Sequence, residues 1–263
     1  MTPTPFFCEL LPLASGSQGN AVLVRGGHGA LLVDAGLERE ELLARLALVR
    51  QRPEDLVGLL LTHRHRDHVR SAATMSRRYR LRIFASEPTL AYLGKRMLHA
   101  ATTMHSGRRV RVGGYEVLPV RLAHDAPQTM GFVVSTETTR IGIATDLGSS
   151  GGGLVQAFSR LDALYLEFNY DKTRLREGPY SWPLKQRIGS SRGHLSNAQA
   201  AELLGRIVSP RLQALYLAHV SATNNTPALA HAAAAAALEL AGSPGVDVRL
   251  ALQDAPSPPW RSG

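Results

Sequence analysis

An α/β (α+β) fold is predicted for this chain from three observations. Short apolar strands bounded by glycine turns alternate with segments of helical spacing. No linker-like stretch interrupts the middle. One strand after another also arrives at a histidine or an aspartate: His63, His124, Asp146 and His219. The length of 263 residues fits one sizeable domain or two small ones. Without a linker, we expect one domain over 1–255, followed by a disordered proline-rich tail, 256–263, opening on Pro256-Ser257-Pro258-Pro259.

The elements follow in order. Phe7 to Leu13 reads as a strand, then comes the turn Ser15-Gly16-Ser17-Gln18-Gly19-Asn20. Ala21 to Val24 and Ala30 to Val33 are joined by Gly26-Gly27-His28-Gly29, a hairpin signal. Leu42, Leu43, Leu46 and Val49 recur at helical spacing, which predicts a helix over Glu38 to Arg50. Val57 to Leu61 is a continuous apolar run, the mark of a buried strand. Val69, Ala72, Ala73, Ser76 and Tyr79 share one face of the next helix. Arg82 to Ala85 is then a strand, Pro88 to Leu98 a helix, and Tyr115 to Leu122 a strand ending near His124. Phe132 to Ser135 and Arg140 to Thr145 form a hairpin reaching Asp146, and Leu161 to Leu166 and Leu212 to Leu217 are further strands. The pattern Ser196-x-x-Gln199 is a capping box that starts a helix running through Leu204. Thr226-Pro227 opens an alanine-rich helix that stops near Gly242, and Val246 to Leu252 is a last strand.

Composition narrows the chemistry. Hydrophobic residues at 44% and charged residues at 19% are an ordinary soluble balance. No apolar run approaches the roughly 18 residues that a membrane span needs. The start, Met1-Thr2-Pro3-Thr4-Pro5, lacks the basic-then-apolar pattern of a signal peptide, so a cytoplasmic location is expected. The single cysteine, Cys8, excludes an internal disulfide and a cysteine zinc cage. Any metal must therefore be held by His, Asp and Glu. The net charge of +9 favours anionic partners such as nucleic acid, and equally fits a merely arginine-rich composition.

His63-x-His65-x-Asp67-His68 places four ligand-type side chains within six residues. In an extended segment His63 and His65 point to the same side. A helix starting at Asp67 would turn Asp67 and His68 toward a neighbouring position. The geometry suits two metal ions side by side, and imidazole with carboxylate accepts zinc, manganese or iron.

A strand followed by H-x-H-x-D-H resembles the metallo-β-lactamase superfamily. Its YycJ (WalJ) branch, a group regarded as 5′-to-3′ exonucleases acting on DNA, is resembled by further segments. These are Leu13 to Asn20, Val33 to Gly36, His124-Asp125-Ala126, Thr145 to Gly148, Leu184 to Ile188, Gly193 to Asn197, and Ala218 to Ser221 with Asn224-Asn225. They run in the family's order over nearly the whole chain. The resemblance implies a four-layer αββα sandwich with two divalent ions, Zn2+ or Mn2+ with Fe as a further option, at one edge. It assigns His63, His65 and His124 to one ion, Asp67, His68 and His219 to the other, and Asp146 to a bridge. Arg64, Arg66, Ser71 and Tyr170 depart from the family's usual residues, which bears on substrate fit and rate but removes no ligand.

In that setting a metal-bridging hydroxide would attack a scissile phosphate, with Asp67 and Asp146 tuning charge and orienting the water. Asp34 is expected behind the ligands or as a turn cap, with Ser15 and Asn20 shaping a turn nearby. His194, just before a helix start, is a candidate to protonate or stabilise the leaving oxygen. Lys185, Arg187, Arg192, Ser196 and Asn197 are candidates to grip the phosphate. His28 and His231 read as solvated, and His99 and His105 as loop residues. Nucleic acid, DNA ahead of RNA, is the expected partner. The competing functions are a thioester or lactone hydrolase of the same fold, which predicts a tight apolar pocket, and a metal-stabilised binding module without catalysis.

Overall fold

The computed structural model describes residues 7–263; the Met1-Thr2-Pro3-Thr4-Pro5 start lies outside the described residues. The strands are β1 (Cys8–Ala14), β2 (Ala21–Gly26), β3 (Gly29–Val33), β4 (Leu56–Leu60), β5 (Arg82–Ala85), β6 (Ala100–Thr103), β7 (Val110–Val112), β8 (Tyr115–Arg121), β9 (Met130–Ser135), β10 (Arg140–Ala144), β11 (Ala163–Glu167), β12 (Ala214–Ala218), β13 (Asp247–Leu250) and β14 (Trp260–Arg261). The helices are α1 (Arg39–Leu48), α2 (Arg66–Val69), α3 (Ala72–Arg78), α4 (Glu87–Leu93), α5 (Gly152–Ala157), α6 (Lys172–Glu177), α7 (Trp182–Ile188), α8 (Asn197–Ile207) and α9 (Pro227–Leu240).

Two seven-stranded sheets result, in the orders β14-β1-β2-β3-β4-β5-β6 and β13-β12-β11-β10-β9-β8-β7. Period-two alternation sorts their side chains between layers. Val22, Val24, Leu31 and Val33 of the first sheet join Phe132, Ile141, Tyr165 and Tyr216 of the second in the central core. The alternate residues Leu23 and Leu32 pack with Leu42 and Leu46 of α1 and with Met75 of α3. On the other side, Leu164, Leu166, Leu215 and Leu217 pack with Leu203 and Leu204 of α8 and Ala234 of α9. The fold is the four-layer αββα sandwich. Because both faces of each sheet are covered, the central strands are apolar throughout rather than alternating.

Strand direction places the site. The strands β10, β11 and β12 are mutually parallel, as are β3, β4, β5 and β6. β8 runs the same way as β10, since each is antiparallel to β9. Their C-terminal ends therefore open on common edges, where parallel sheets present functional groups.

Three expectations need correction. The helix expected over Pro88 to Leu98 ends at Leu93, because Gly94 takes a left-handed backbone (φ 71) and a 3-10 turn follows over Lys95–Met97. The tail expected to be disordered is built into the sandwich. Trp260, 5% exposed, is paired to Leu10 across β1, and Tyr216 donates to the Pro258 carbonyl at 2.6 Å. An indole facing the central core outweighs the proline content that suggested a frayed end. Finally, His28 is not simply solvated: it packs edge-on to Tyr115 and sits 3.3 Å from a Glu137 carboxylate oxygen.

Candidate metal centre

Thr62 to His68 leaves the end of β4 extended and enters α2, so the expected geometry forms: His63 and His65 precede the helix and Asp67 and His68 lie in its only turn. His124 follows β8, Asp146 follows β10 and His219 follows β12. The ligand-type atoms of His63, His65 and His124 lie within 4.8 Å of one another, and so do those of Asp67, His68 and His219. Asp146 lies between the two groups. One carboxylate oxygen is 3.2 Å from His68 Nε2; the other is 3.7 Å from His219 Nε2 and 3.9 Å from His124 Nε2. His65 turns Nδ1 toward His124 Nε2 at 3.4 Å, so both nitrogens face one point.

Whether these residues fit a cation is decided by what else they could bind. Nε2 of His63 and Nε2 of His219 are buried without a hydrogen-bond partner among the described residues. Buried polar atoms are rarely left so unless a ligand is intended. Electrostatics agree. Burial pushes the His63 imidazole well below its ordinary value, which keeps its lone pair available. Burial also opposes charge on His68 and His219, but Asp146 and its neighbouring acids overcome it, raising His68 well above the ordinary value and His219 to about 9. The carboxylates thus demand positive charge at this spot, which a divalent cation supplies by displacing the protons. The donor set, imidazole plus carboxylate without thiolate, fits a divalent metal.

The groups behind the ligands are as ordered as the ligands themselves. His68 donates through Nδ1 to Asp34 at 2.7 Å, which frees Nε2 for the metal side, and Thr62 donates to the same carboxylate through both N and Oγ1. Asp34 is therefore a support for His68. Asn20 donates to the Gly16 carbonyl and shapes the turn, with its Nδ2 3.0 Å from His68 Nε2 on the metal-facing side of the ring. Ser15 Oγ accepts from the His219 backbone N–H at 2.8 Å and from Tyr165 at 2.7 Å. His124 donates through Nδ1 to the Gly193 carbonyl. Gly36 lies against the Asp67 carbonyl so closely that a Cβ there would come within 1.6 Å of the oxygen. Asp34, Asp146 and His219 all hold left-handed backbones (φ 63, 60 and 51), unusual for residues with side chains, and such strain concentrates where a fold must aim a functional group.

Sequence reasoning missed Glu167. It ends β11, is fully buried, and accepts from Asp146 N at 2.7 Å, Leu195 N at 2.7 Å and His194 Nδ1 at 3.1 Å. An acid at the end of a buried strand was the signal that pointed to Asp146, and it applied here too. Burial works against charge on His194, but Glu167, then Asp146, holds the imidazole above its ordinary value. Asp125 was also passed over. Its Oδ1 is 3.3 Å from Nε2 of both His65 and His124, and its Oδ2 accepts from Arg187 at 2.7 Å.

The expected phosphate-binding residues divide. Arg187 reaches the metal edge through Asp125 with its side chain 61% exposed. Arg192 donates to the His124 carbonyl, and His194 stands in tilted contact with His124 and stacks on His219. Lys185 does not reach the centre: it donates to the Arg176 carbonyl on the far side of α7. Ser196 and Asn197 are spent inside the fold. Ser196 is buried in the capping box with Gln199, and Asn197 exchanges hydrogen bonds with Asn225 at 2.9 Å each way. Ser71, one of the departures from the family, donates to the Ala35 carbonyl, and Arg64 and Arg66 are exposed.

Comparison with known proteins gives the family. The family model described as a β-lactamase superfamily domain matches residues 30–220. Exodeoxyribonuclease WalJ of Streptococcus pneumoniae is 34% identical over 225 residues, covering 83% of this chain and 84% of that protein. Exodeoxyribonuclease YycJ of Bacillus anthracis is 31% identical over 234 residues, covering 88% and 89%. The metallo-β-lactamase fold protein YhfI of Bacillus subtilis superposes with a TM-score of 0.76 at 15% identity, covering 98% of this chain and all of that one. On a family match over most of its length and on these two relatives, the chain belongs to the β-lactamase superfamily of metal-dependent hydrolases, in the branch of WalJ and YycJ.

Proposed function

We propose that the protein is a dinuclear 5′-to-3′ exodeoxyribonuclease. The observation that carries this is the company the metal cluster keeps: beside two three-ligand groups joined by Asp146 stand a half-buried His194 backed by Glu167 and an exposed Arg187. Similarity to WalJ and YycJ supports DNA as substrate. In this reading His63, His65 and His124 hold one ion, Asp67, His68 and His219 the other, and Asp146 both. Bound there, Zn2+ or Mn2+, with Fe as a third option, would lower the pKa of water to give hydroxide near neutral pH and stabilise charge on the attacked phosphorus.

The chain's own groups do the rest. A recess of about 210 Å³ lies beside the ligands, lined by His124, Asp125, Tyr180, Leu184, Arg187, Ile188, Gly193 and His194. A phosphate entering it meets the Arg187 guanidinium on one side and the His194 imidazole on the other. Hydrolysis forms one P–O bond to the water oxygen and breaks one P–O bond to the sugar oxygen of the neighbouring nucleotide, which leaves with a proton. Glu167 favours the protonated form of His194 and fixes its ring through Nδ1, so Nε2 can hand the departing oxygen its proton. Such proton donation is worth about 10²- to 10⁴-fold in rate. Asp125 draws Arg187 to the edge of the site and orients His65.

A second reading has one observation in its favour. A cavity of about 650 Å³ opens beside His124, with a largely apolar wall including Leu118, Val120, Leu122 and Leu154 and with Arg121 and Arg192 at its margin. A thioester or lactone hydrolase would use such a wall. Strands labelled at either end separate the readings, assayed with metal-loaded protein alongside acyl thioesters and lactones. Stepwise loss of 5′-terminal nucleotides without acyl turnover supports the nuclease and its polarity. Acyl turnover with intact strands would reverse the assignment.

A further inference from the structure

The segment from Asp171 to Arg192 holds six cationic side chains, Lys172, Arg174, Arg176, Lys185, Arg187 and Arg192, against two acids. Within it stands Trp182 at the first position of α7, 67% exposed. The other tryptophan, Trp260, is buried, so exposure of this indole is not a general property of the surface. Pro183 follows it and fixes the start of the helix, which holds the ring on a rigid mount. Trp182, Tyr170 and Leu175 make an apolar floor, and Lys172, Arg176 and Lys185 a cationic rim, around a shallow cavity of about 290 Å³. Lys185, which fails to reach the metals, belongs to this rim.

The helix connects this cavity to the metal edge. Arg187 and Leu184 of α7 line the recess beside His124 and His194, while Trp182, Lys185 and Gln186 of the same helix line the outer cavity. Trp182 and Arg187 are five residues apart, about 7.5 Å along the axis. That separation is on the scale of one or two nucleotides of a single strand. A flat exposed indole ringed by cations is the combination by which proteins hold single strands without reading sequence: the ring stacks a base and the cations follow the phosphates.

Resting on the nuclease reading above, we propose that Trp182 is the stacking platform of a single-strand subsite, holding a base one or two nucleotides from the phosphate gripped by Arg187. The subsite takes unpaired DNA, because a paired base keeps its faces in the duplex stack. It makes binding depend on strand length, since a mononucleotide at the metals cannot span α7.

The test uses metal-loaded protein and a 5′-phosphorylated oligothymidylate ten nucleotides long with phosphorothioate linkages, which resist cleavage. Saturating strand is expected to quench the fluorescence of the exposed indole, leaving the signal of Trp260. Trp182→Ala is expected to weaken binding of the ten-mer by about 10-fold or more, the cost of one lost stack. Trp182→Phe, which keeps a ring, should stay within about 3-fold of the parent. Thymidine 5′-monophosphate should bind parent and Trp182→Ala alike, and the two should melt together because the side chain is exposed. Unquenched fluorescence at saturation, or equal ten-mer affinity in Trp182→Ala, overturns the subsite while leaving the nuclease reading intact wherever the parent binds and degrades DNA. A parent protein that binds no strand at all overturns both.

Discussion

At the scale of the residue, the centre is a set of histidines whose free nitrogens are chosen by what holds the other nitrogen. His68 is set by Asp34, His124 by the Gly193 carbonyl and His194 by Glu167. Asp34→Asn keeps the shape and tolerates the left-handed backbone, but it removes the charge behind His68. Metal affinity is expected to fall by about 10- to 100-fold, measured by competition with a chelating dye. Affinity should also depend on pH. Acidic neighbours hold His219 protonated up to about 9 in the metal-free protein, so uptake below that value releases a proton. Affinity therefore rises as pH increases toward 9 and falls with acidification. Titrations at pH 6.5, 7.5 and 8.5 check the sign, and a flat profile would count against His219 as a ligand. His194→Ala should leave metal content unchanged and lower kcat by about 10²-fold, an outcome that separates proton donation from metal binding.

The clustering of the candidate ligands was legible in the sequence from two signals, a dense motif and polar residues closing apolar strands. Glu167 closes an apolar strand as His124, Asp146 and His219 do, and was missed although that signal was present. Ser196 and Asn197 gave a third kind of signal, nearness to a helix start, which says nothing about direction. Their side chains face inward to Gln199 and Asn225, and only a tertiary contact could reveal that.

At the scale of the element, strand ends and helix starts are where this fold converts pattern into position. Apolar runs marked most of the strands, since strands covered on both faces must be apolar. The helices α5, α6 and α7 went unread. Each is only six or seven residues long, and α6 and α7 carry mostly charged or exposed residues, so no apolar stripe betrays them. Strands β6 and β7 were missed for a related reason: they are short and only partly buried at sheet edges. The capping box at α8 was readable, because its two partners lie three residues apart and both hydrogen bonds form. Ser196→Ala removes the acceptor for Gln199 N and is expected to cost about 1 kcal/mol in chemical denaturation.

At the scale of the whole molecule, two sheets press their inner faces together, and the first and last described strands pair in the first sheet. β14, the last strand, closes the first sheet against β1, the first described strand, and the Trp260 indole completes the central core. Proline content hid this, because pairing of a two-residue strand with a segment some 250 residues earlier leaves no local trace. Removing 256–263 should lower the melting temperature markedly, since truncating a buried tryptophan alone costs about 3–5 kcal/mol. The only cysteine reports on the same region. Cys8 is buried in the central core and its thiol is pushed up to about 12, chiefly by burial. It should resist alkylation at pH 8 until the protein unfolds. No helix among the described residues is long and apolar enough to cross a membrane.

The constellation of His63, His65, Asp67, His68, His124, Asp146 and His219 is the centre of this account, and metal titration of the stripped protein tests it most directly. Mn2+ or Zn2+ is added stepwise while bound metal and release of nucleotides from 5′-labelled DNA are followed together, with His65→Ala and His219→Ala in parallel. Two ions bound per chain, cleavage that appears as the second site fills, and loss of one ion with loss of cleavage in each variant is the result predicted. Full cleavage in the stripped protein, or two bound ions with no cleavage of any nucleic acid, would contradict it.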